Sequence, residues 1–493
     1  MDARGPSLGR LRRTKIVCTI GPASSTTAML EKLVVAGMDC ARLNFSHGTF
    51  AEHLAVIRNI REVSKRTGSL VAVMQDLPGP KMRVGKLKQG SIRIAEGSTV
   101  TLVTGAAAGE NVIPVESENL PKFVKTGGMI FLRDGSIRLK VVSTTATTIK
   151  CVCEVGGELR SGHGVNVPDL KQGFATFTEK DKKYLSFGLE QGVDLVAISF
   201  VRDHNDIKEV REFVSQRGAR HPILVAKIEK KEAVENMGGI VNTTDAVMVA
   251  RGDLGVENPI EGVPEMQKSI IATCRSKGIP VITATQMLES MVSKATPTRA
   301  EVTDVANAIL DGTDAVMLSE ETATGKFPVE CVEVMNRVAL KAEERMLKDP
   351  NTRSLSGVRL QGLVDAFSES AWQLAENINA HVIAVRSGNE AIIPKISRFR
   401  PTAKIVHMTE EEELLRRSRI IWGVFQSKTK GSERTETSLD SSVQRLMKEG
   451  YLEKGERAVF VRGSDTSRRN SRFSLSALVA EGPGRAAQKG AEW

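Results

Sequence analysis

Nowhere in the chain does an apolar run reach the roughly 20 residues that cross a bilayer. The opening stretch MDARGPSLGRLRR has no apolar core after its basic residues, so neither a membrane span nor a secretory leader is expected, and a cytoplasmic protein follows by default. Aromatic residues are scarce, 4% of the 493 with only two tyrosines, which argues against the stacking surfaces that hold single-stranded nucleic acid. Cysteine is sparse too. Four of the six (Cys18, Cys40, Cys151, Cys153, Cys274 and Cys331) sit in apolar strand or helix patterns, where a reduced thiol behaves as a small hydrophobe, and neither a zinc site nor a disulfide framework is indicated. Acidic residues are outnumbered, 59 against 69 basic, for a net charge of +10 and a pI near 9.3. The excess lies largely in the N-terminal dozen residues and in Arg468, Arg469, Arg472, Arg485 and Lys489. Anionic metabolites account for the rest as well as nucleic acid would.

What is present is an ordinary globular composition, 41% hydrophobic and 26% charged. At 53.5 kDa the chain exceeds one core, so about two to four domains are expected. Eight apolar runs suit parallel strands: 15–20, 39–45, 70–76, 194–200, 223–229, 246–250, 280–285 and 314–319. Helical periodicity fills most gaps, as in 26–37, 53–66, 263–278 and 299–312, several of them closed by glycine. Eight β-then-α units predict a TIM barrel, whose chemistry sits at the C-terminal strand ends. One gap breaks the rhythm. More than a hundred residues separate Asp76 from Asp194, in short alternating strands with glycine turns, which predicts a small β domain inserted as a lid on the catalytic face. From about residue 357, helix and strand patterns (363–379, 381–387, a helix to Phe399, 403–409, 411–420, 458–463) predict a further α/β domain, and the Ser, Gly, Ala and Arg-rich tail after Asp465 reads as partly disordered. The division is 1–80 and 168–345 for the barrel, 81–167 for the lid and 346–493 for the C-terminal domain.

The barrel strand ends carry the chemistry. In PILVAKIE the pleat places Lys227 and Glu229 on one face, and in DAVMVARGD a doubly buried run stops at Asp253. Glu229 and Asp253 can share one hard divalent cation; Mg²⁺ takes one or two protein carboxylates and leaves its other positions to water and phosphate, so two acids beside an uncompensated lysine suit a phosphorylated ligand. ARLNFSHG brings Arg42, Asn44 and Ser46 onto one face with His47 in the turn. QDLPGPKMR sets Asp76 before a Pro-Gly-Pro hinge followed by Lys81 and Arg83. The seventh and eighth strand ends add Thr283 and Thr285, then Ser319 and Glu321. Any of these alone reads as an ion pair or a helix cap. Together, three acids (Asp76, Glu229, Asp253) and four bases (Arg42, Lys81, Arg83, Lys227) at one rim form the charge cluster that phosphoryl transfer requires.

The segments CTIGPAS, ARLNFSHG, KIE, MVARGDLGVE, TATQMLESM, PTRAEVTDVANAILDGTDAVMLSEET and GVNVP resemble the motifs of the pyruvate kinase family, in the same order and with matching gaps, strongly over 14–345 and weakly beyond. The resemblance implies a barrel, a β-barrel lid and a C-terminal regulatory α/β domain, with phosphate passing from phosphoenolpyruvate to ADP to give pyruvate and ATP. It implies Mg²⁺ at Glu229 and Asp253, with Mn²⁺ as an alternative, and Lys227 facing the transferring phosphoryl group and the enolate. It implies Arg42 on the phosphate, the Ala250, Arg251 and Gly252 amides with Asp253 around the substrate, and Thr285 by the methylene with Ser319 and Glu321 behind it in a proton relay. Nucleotide contacts fall on Pro22, His47, Arg83 and Asn166. A homotetramer is implied as well.

The departures carry expectations of their own. Leu77, Pro78 and Lys81 stand where many relatives have Thr, Lys and Glu; Thr324 replaces a usual lysine, His163 stands where lysine is common, and Arg386–Ala391 only loosely resembles the loop that binds sugar phosphates in regulated members. The monovalent-cation region matches Asn44, Ser46, Asp76, Leu77 and Lys81, and an ammonium at Lys81 predicts that potassium is not required. Two alternatives stay open at this level: an aldolase or lyase using Mg²⁺ and a 2-oxo acid enolate on the same kind of barrel, and, from the pI alone, a nucleic-acid binder.

Overall fold

The computed structural model describes residues 12–481 apart from 106–108, 110, 118–119, 134, 169–174, 219–220, 350–354, 356–359, 388–389, 430–437 and 464–472. The basic N-terminal segment and the arginines and lysine singled out near the C-terminus lie outside the described residues, as does most of the tail.

Eight parallel strands close into a barrel in chain order: Lys15–Thr19, Cys40–Asn44, Ala72–Asp76, Leu195–Ile198, Ile223–Ile228, Ala246–Ala250, Val281–Ala284 and Ala315–Leu318. The eighth pairs back on the first, Lys15 opposite Ala315. Both faces of each strand are buried, which is why the sequence shows apolar runs rather than alternation. One pleat face, including Cys18, Leu43, Val73, Ile198, Ile228 and Val249, packs under the helices. The other, including Val17, Cys40, Met74, Ala197, Val225 and Met248, fills the barrel interior. Helix Phe50–Thr67 is locked at its start by a reciprocal capping box between Thr49 and Glu52.

The chain leaves the barrel after Asp76 through Pro78-Gly79-Pro80. Gly79 has φ +63°, and a Cβ there would stand 3.0 Å from both Ser199 Cβ and Phe200 Cδ2, so only glycine fits this exit. The inserted segment forms a seven-stranded sheet running from Met82–Arg83 at one edge to Val112–Val115 at the other, and a bridge between Val84 and Val115 joins the two edges. The sheet therefore curls into a small barrel around Val100, Leu139, Cys151 and Cys153. All six cysteines of the chain are buried and free.

After helix Pro328–Lys348 comes a five-stranded sheet in the order Val424–Lys428, Lys404–Thr409, Val382–Ser387, Arg457–Gly463, Phe473–Val479, the last strand antiparallel. Two strands and helix Ser438–Lys448 go beyond the sequence reading. The polar VFQSK hides an edge strand, and Phe473–Val479 lies inside the stretch expected to be disordered, where alternate serines concealed a pairing with seven residues of its neighbour. This domain docks on the N-terminal face of the barrel. Aspartates that precede barrel strands receive its arginines: Asp39 takes Arg419 at 2.7 Å, Asp194 takes Arg416 at 2.8 Å and Asp314 takes Arg400 at 2.9 Å. Lys15 adds a bond from Nζ to the Val424 carbonyl at 2.6 Å. Among the described residues no helix is long and apolar enough to cross a membrane.

Candidate active site

The interior pleat of the barrel turns polar one step above its apolar plug. Val17 is followed on that face by Thr19, Cys40 by Arg42, Met74 by Asp76, Ala197 by Ser199 and Val225 by Lys227, so five consecutive strands contribute one polar layer. Asp76 is its hub. Arg42 Nε donates to Asp76 Oδ2 at 2.6 Å and Lys227 Nζ stands 3.2 Å from Asp76 Oδ1. Burial drives the Asp76 carboxyl up, but Lys227 and Arg42 together outweigh it and hold the group below the usual carboxylate range. Arg42 also donates to Thr19 Oγ1 at 2.9 Å, which fixes the guanidinium plane.

Lys227 donates to Ser199 Oγ at 2.7 Å and pairs with Glu229 Oε1 at 2.9 Å. Burial alone would discharge this ammonium; Asp76 and Glu229 reverse that and raise its pKa above the ordinary lysine value. This corrects one expectation: the lysine is not uncompensated, because Asp76, hidden two strands away, supplies a second carboxylate. Glu229 itself is almost wholly buried, with Oε2 accepting from the Phe200 amide at 2.6 Å. Its pKa is raised by burial and by the Asp253 carboxylate, against the pull of Lys227. Phe200 reaches it from a left-handed backbone (φ +57°), a conformation that a non-glycine residue holds only where its surroundings impose it.

Asp253 lies in helix Arg251–Glu257, which starts directly at the end of the sixth strand, and Lys81 from the hinge places Nζ 3.4 Å from Asp253 Oδ1. Among the described residues no group of three or more His, Cys, Asp or Glu converges on a metal-sized space. Glu229 and Asp253 are the two carboxylates here that could hold a divalent ion. Both are hard oxygen donors, and the electrostatic strain between them fits a cation.

The Gly252 amide donates to Thr285 Oγ1 at 2.9 Å, so it is already engaged rather than open. Thr285 and Gln286 both have positive φ (+68° and +55°), unusual for a β-branched threonine, and this turn aims Oγ1 at the start of the helix. The Arg251 side chain is engaged by neighbouring elements. It binds Asp304 at 2.7 Å and the Thr285 carbonyl at 2.6 Å, which holds the turn; Ala250 caps the strand beneath it. Thr283 is not at the rim, since it lies on the outer pleat and donates to Thr313 Oγ1. Glu321 is buried and accepts from the Ser319 and Leu288 amides at 2.6 and 3.0 Å; burial raises its pKa. The Ser319 hydroxyl is buried with no hydrogen-bond partner among the described residues.

On the lid side, His47 follows the turn in which Asn44 Oδ1 accepts from the Ser46 amide at 3.1 Å. Its pKa is lowered by burial and then by Arg83, Arg42 and Lys81, so three cations face one imidazole. Arg83 Nη1 donates to the Gly162 carbonyl at 2.8 Å, Pro22 is exposed in the turn after the first strand, and the buried Asn166 amide oxygen has no partner among the described residues. Leu77 is buried and offers only its backbone, its carbonyl accepting from Ser199 Oγ at 2.7 Å. A cleft lined by Lys81, Asn166, Phe200, Lys230 and Glu257 runs between hinge, lid and barrel. Sequence reasoning missed Thr19, Ser199, the Phe200 amide and Asp304; extending the strand alternation by one step would have found the first two.

Comparisons with known proteins identify the family. Residues 11–332 match the family model described as pyruvate kinase, barrel domain, and 365–472 match pyruvate kinase, alpha/beta domain. A pyruvate kinase of Agrobacterium vitis is 41% identical over 94% of this chain and 96% of its own length, and one from Staphylococcus saprophyticus is 40% identical over 94% and 79%. The crystal structure of a pyruvate kinase from Cryptosporidium parvum superposes with a TM-score of 0.85 at 33% identity, covering 95% of this chain and 96% of that one. The aldolase or lyase alternative and the nucleic-acid alternative both give way to these matches, and the chain belongs to the pyruvate kinase family.

Proposed function

We propose that the chain moves the phosphoryl group of phosphoenolpyruvate to ADP, making pyruvate and ATP in the cytoplasm as a homotetramer; the family match supports the chemistry. The observation that carries the reading is the Lys227 ammonium, held charged by Asp76, Glu229 and Ser199 at the rim that also carries Arg42 and Asp253. The bond between phosphorus and the enol oxygen breaks, and a new one forms to a terminal oxygen of ADP. Charge spreads over the phosphoryl oxygens and then the enolate, and fixed cations aimed at that place lower the barrier. Lys227 and Arg42 are those cations. Mg²⁺, or Mn²⁺ in its place, would be held by Glu229 and Asp253, where it neutralises phosphoryl and enolate oxygens.

The Ala250 to Gly252 segment would receive the substrate carboxylate, with Thr285 yielding its bond to the Gly252 amide. Thr285, Ser319 and Glu321 line the route by which the enolate carbon gains its proton. His47 and Arg83, with Pro22 and Asn166, would meet the nucleotide, and the 81–167 domain would close over it. Potassium is not required in this proposal. Asp76 already spends its charge on two side-chain cations, Leu77 brings no side-chain oxygen, and Lys81 puts a further ammonium beside Asp253. A lactate dehydrogenase-coupled assay tests the reading: NADH oxidation should require both phosphoenolpyruvate and ADP, and oxidation indifferent to ADP would refute it.

A further inference from the structure

At the N-terminal face, under the fifth, sixth and seventh strands, a cavity of about 320 Å³ separates the barrel from the C-terminal domain. That volume is at the lower end of small-molecule sites, roughly 300–1,000 Å³. Its walls are apolar on both sides: Ile223, Ile279 and Pro280 from the barrel, Ile393, Leu414 and Ile420 from the C-terminal domain. One polar side chain that lines it has nothing to bind. His407, in strand Lys404–Thr409, is 1% exposed, and neither ring nitrogen has a partner among the described residues. A neutral imidazole has one acceptor nitrogen, and a donor offered to it from inside the cavity would satisfy that orphaned atom.

The charged groups around the cavity each have an ion-pair partner, although the buried Arg417 Nε makes no hydrogen bond among the described residues. Arg417 pairs with Glu390 at 3.3 Å and with Glu413 as well, Lys395 pairs with Asp365 at 2.8 Å, and Asp245 pairs with Arg211 at 2.9 Å. Burial drives the His407 pKa down to about 4, so the imidazole is neutral at physiological pH. A charged ligand would lose its hydration here and find counter-charges already engaged in ion pairs.

We propose that this cavity binds a small uncharged molecule with an apolar, ring-sized body and a single N–H or O–H that hydrogen-bonds to His407. The occupant would touch both domains at once, riveting the C-terminal domain to the base of the strands that carry Lys227, Asp253 and Thr285 at their far ends.

Indole is the probe, titrated into the full chain by calorimetry and by thermal melting. One saturable site per chain is expected, with a saturable rise in Tm. Indole-3-carboxylate, the same ring with a negative charge, should bind at least about tenfold more weakly. His407→Phe keeps the bulk, removes the nitrogens and should weaken indole by about fivefold. Ile393→Trp and Leu414→Trp fill the cavity from within and should abolish binding while turnover stays at the wild-type level. The proposal is overturned if indole shows no saturable binding, if the carboxylate binds as well as indole, or if either filled variant with normal turnover still binds. Should both filled variants misfold, the pair of ligands and His407→Phe still decide the question.

Discussion

Lys227 Nζ lies 3.2 Å from Asp76 Oδ1, although the two residues belong to the fifth and third barrel strands with the fourth between them. Ser199 of the chain leaving that fourth strand fills the gap, 2.7 Å from the ammonium. One aspartate thereby orients both cations of the site, since Arg42 holds its other oxygen. The arrangement ties catalysis to stability, because each charge is buried and depends on the others.

Replacing the lysine should therefore have two effects. Lys227→Met should cut turnover by about 10³-fold or more, and it should also lower Tm by leaving Asp76 and Glu229 facing one another less compensated. Adding Asp76→Asn to the same chain should recover part of the Tm but none of the turnover. Melts and steady-state rates on wild type and the two variants decide this, and near-normal turnover in Lys227→Met would refute the role of the lysine.

The divalent site makes a different prediction. Glu229→Gln or Asp253→Asn should raise the Mg²⁺ concentration for half-activity by about tenfold or more, because each removes a ligand charge. Mg²⁺ titrations at saturating substrate measure it; an unchanged midpoint in both variants would contradict the assignment.

Ser319→Ala separates structure from chemistry. Its hydroxyl is buried without a partner among the described residues, so its removal should leave Tm unchanged or slightly higher. Exchange of the pyruvate methyl protons with deuterated water should nonetheless slow by about tenfold or more if the hydroxyl passes the proton. Undiminished exchange would remove Ser319 from the relay.

Stability against acid should report on the docking of the C-terminal domain. Burial favours protonation of Asp39, but Arg12, Arg419 and Lys15 outweigh it and lower the pKa from 3.8 to about 2. A depressed carboxylate stabilises the fold above its unfolded pKa and loses that contribution as pH falls through the folded value. The loss should run from about pH 4 to about pH 2 and amount to a few kcal/mol. Asp39→Asn should be less stable than wild type at pH 7, and the gap in urea midpoint should narrow steadily below pH 4. A gap independent of pH would contradict the ion-pair account.

Potassium should matter little. With tetramethylammonium as the only monovalent cation, turnover should fall less than about tenfold, a barrier change under roughly 1.4 kcal/mol, and Lys81→Glu should create a potassium requirement. Near-complete loss of wild-type activity without potassium would show that the lysine does not replace the ion.

The barrel was legible because parallel strands buried on both faces leave unmistakable apolar runs, and the lid because more than a hundred residues interrupt them. Lys227 and Glu229 could be placed side by side because the pleat fixes their direction at a strand end, whereas Asp253, which the sequence reading set at the end of the sixth strand, lies in the helix that follows it. The partnership with Asp76 could not be read. It depends on strand order and on the shear of the closed barrel, which bring non-adjacent strands together in the interior. Phe200 was invisible for another reason: its contribution is a backbone amide turned by a positive φ, which no side-chain pattern encodes. In the C-terminal domain the edge strands Val424–Lys428 and Phe473–Val479 were lost because edges tolerate polar residues that a buried strand would reject.

The most direct measurement is phosphorus NMR on one sample holding the protein, phosphoenolpyruvate, ADP and Mg²⁺. The proposal predicts that the phosphoenolpyruvate resonance decays as the three ATP resonances grow in equal molar amount, and that the Lys227→Met protein leaves the spectrum unchanged over the same interval. Decay into inorganic phosphate without ATP, or ATP formation at the same rate in the Lys227→Met protein, would contradict it.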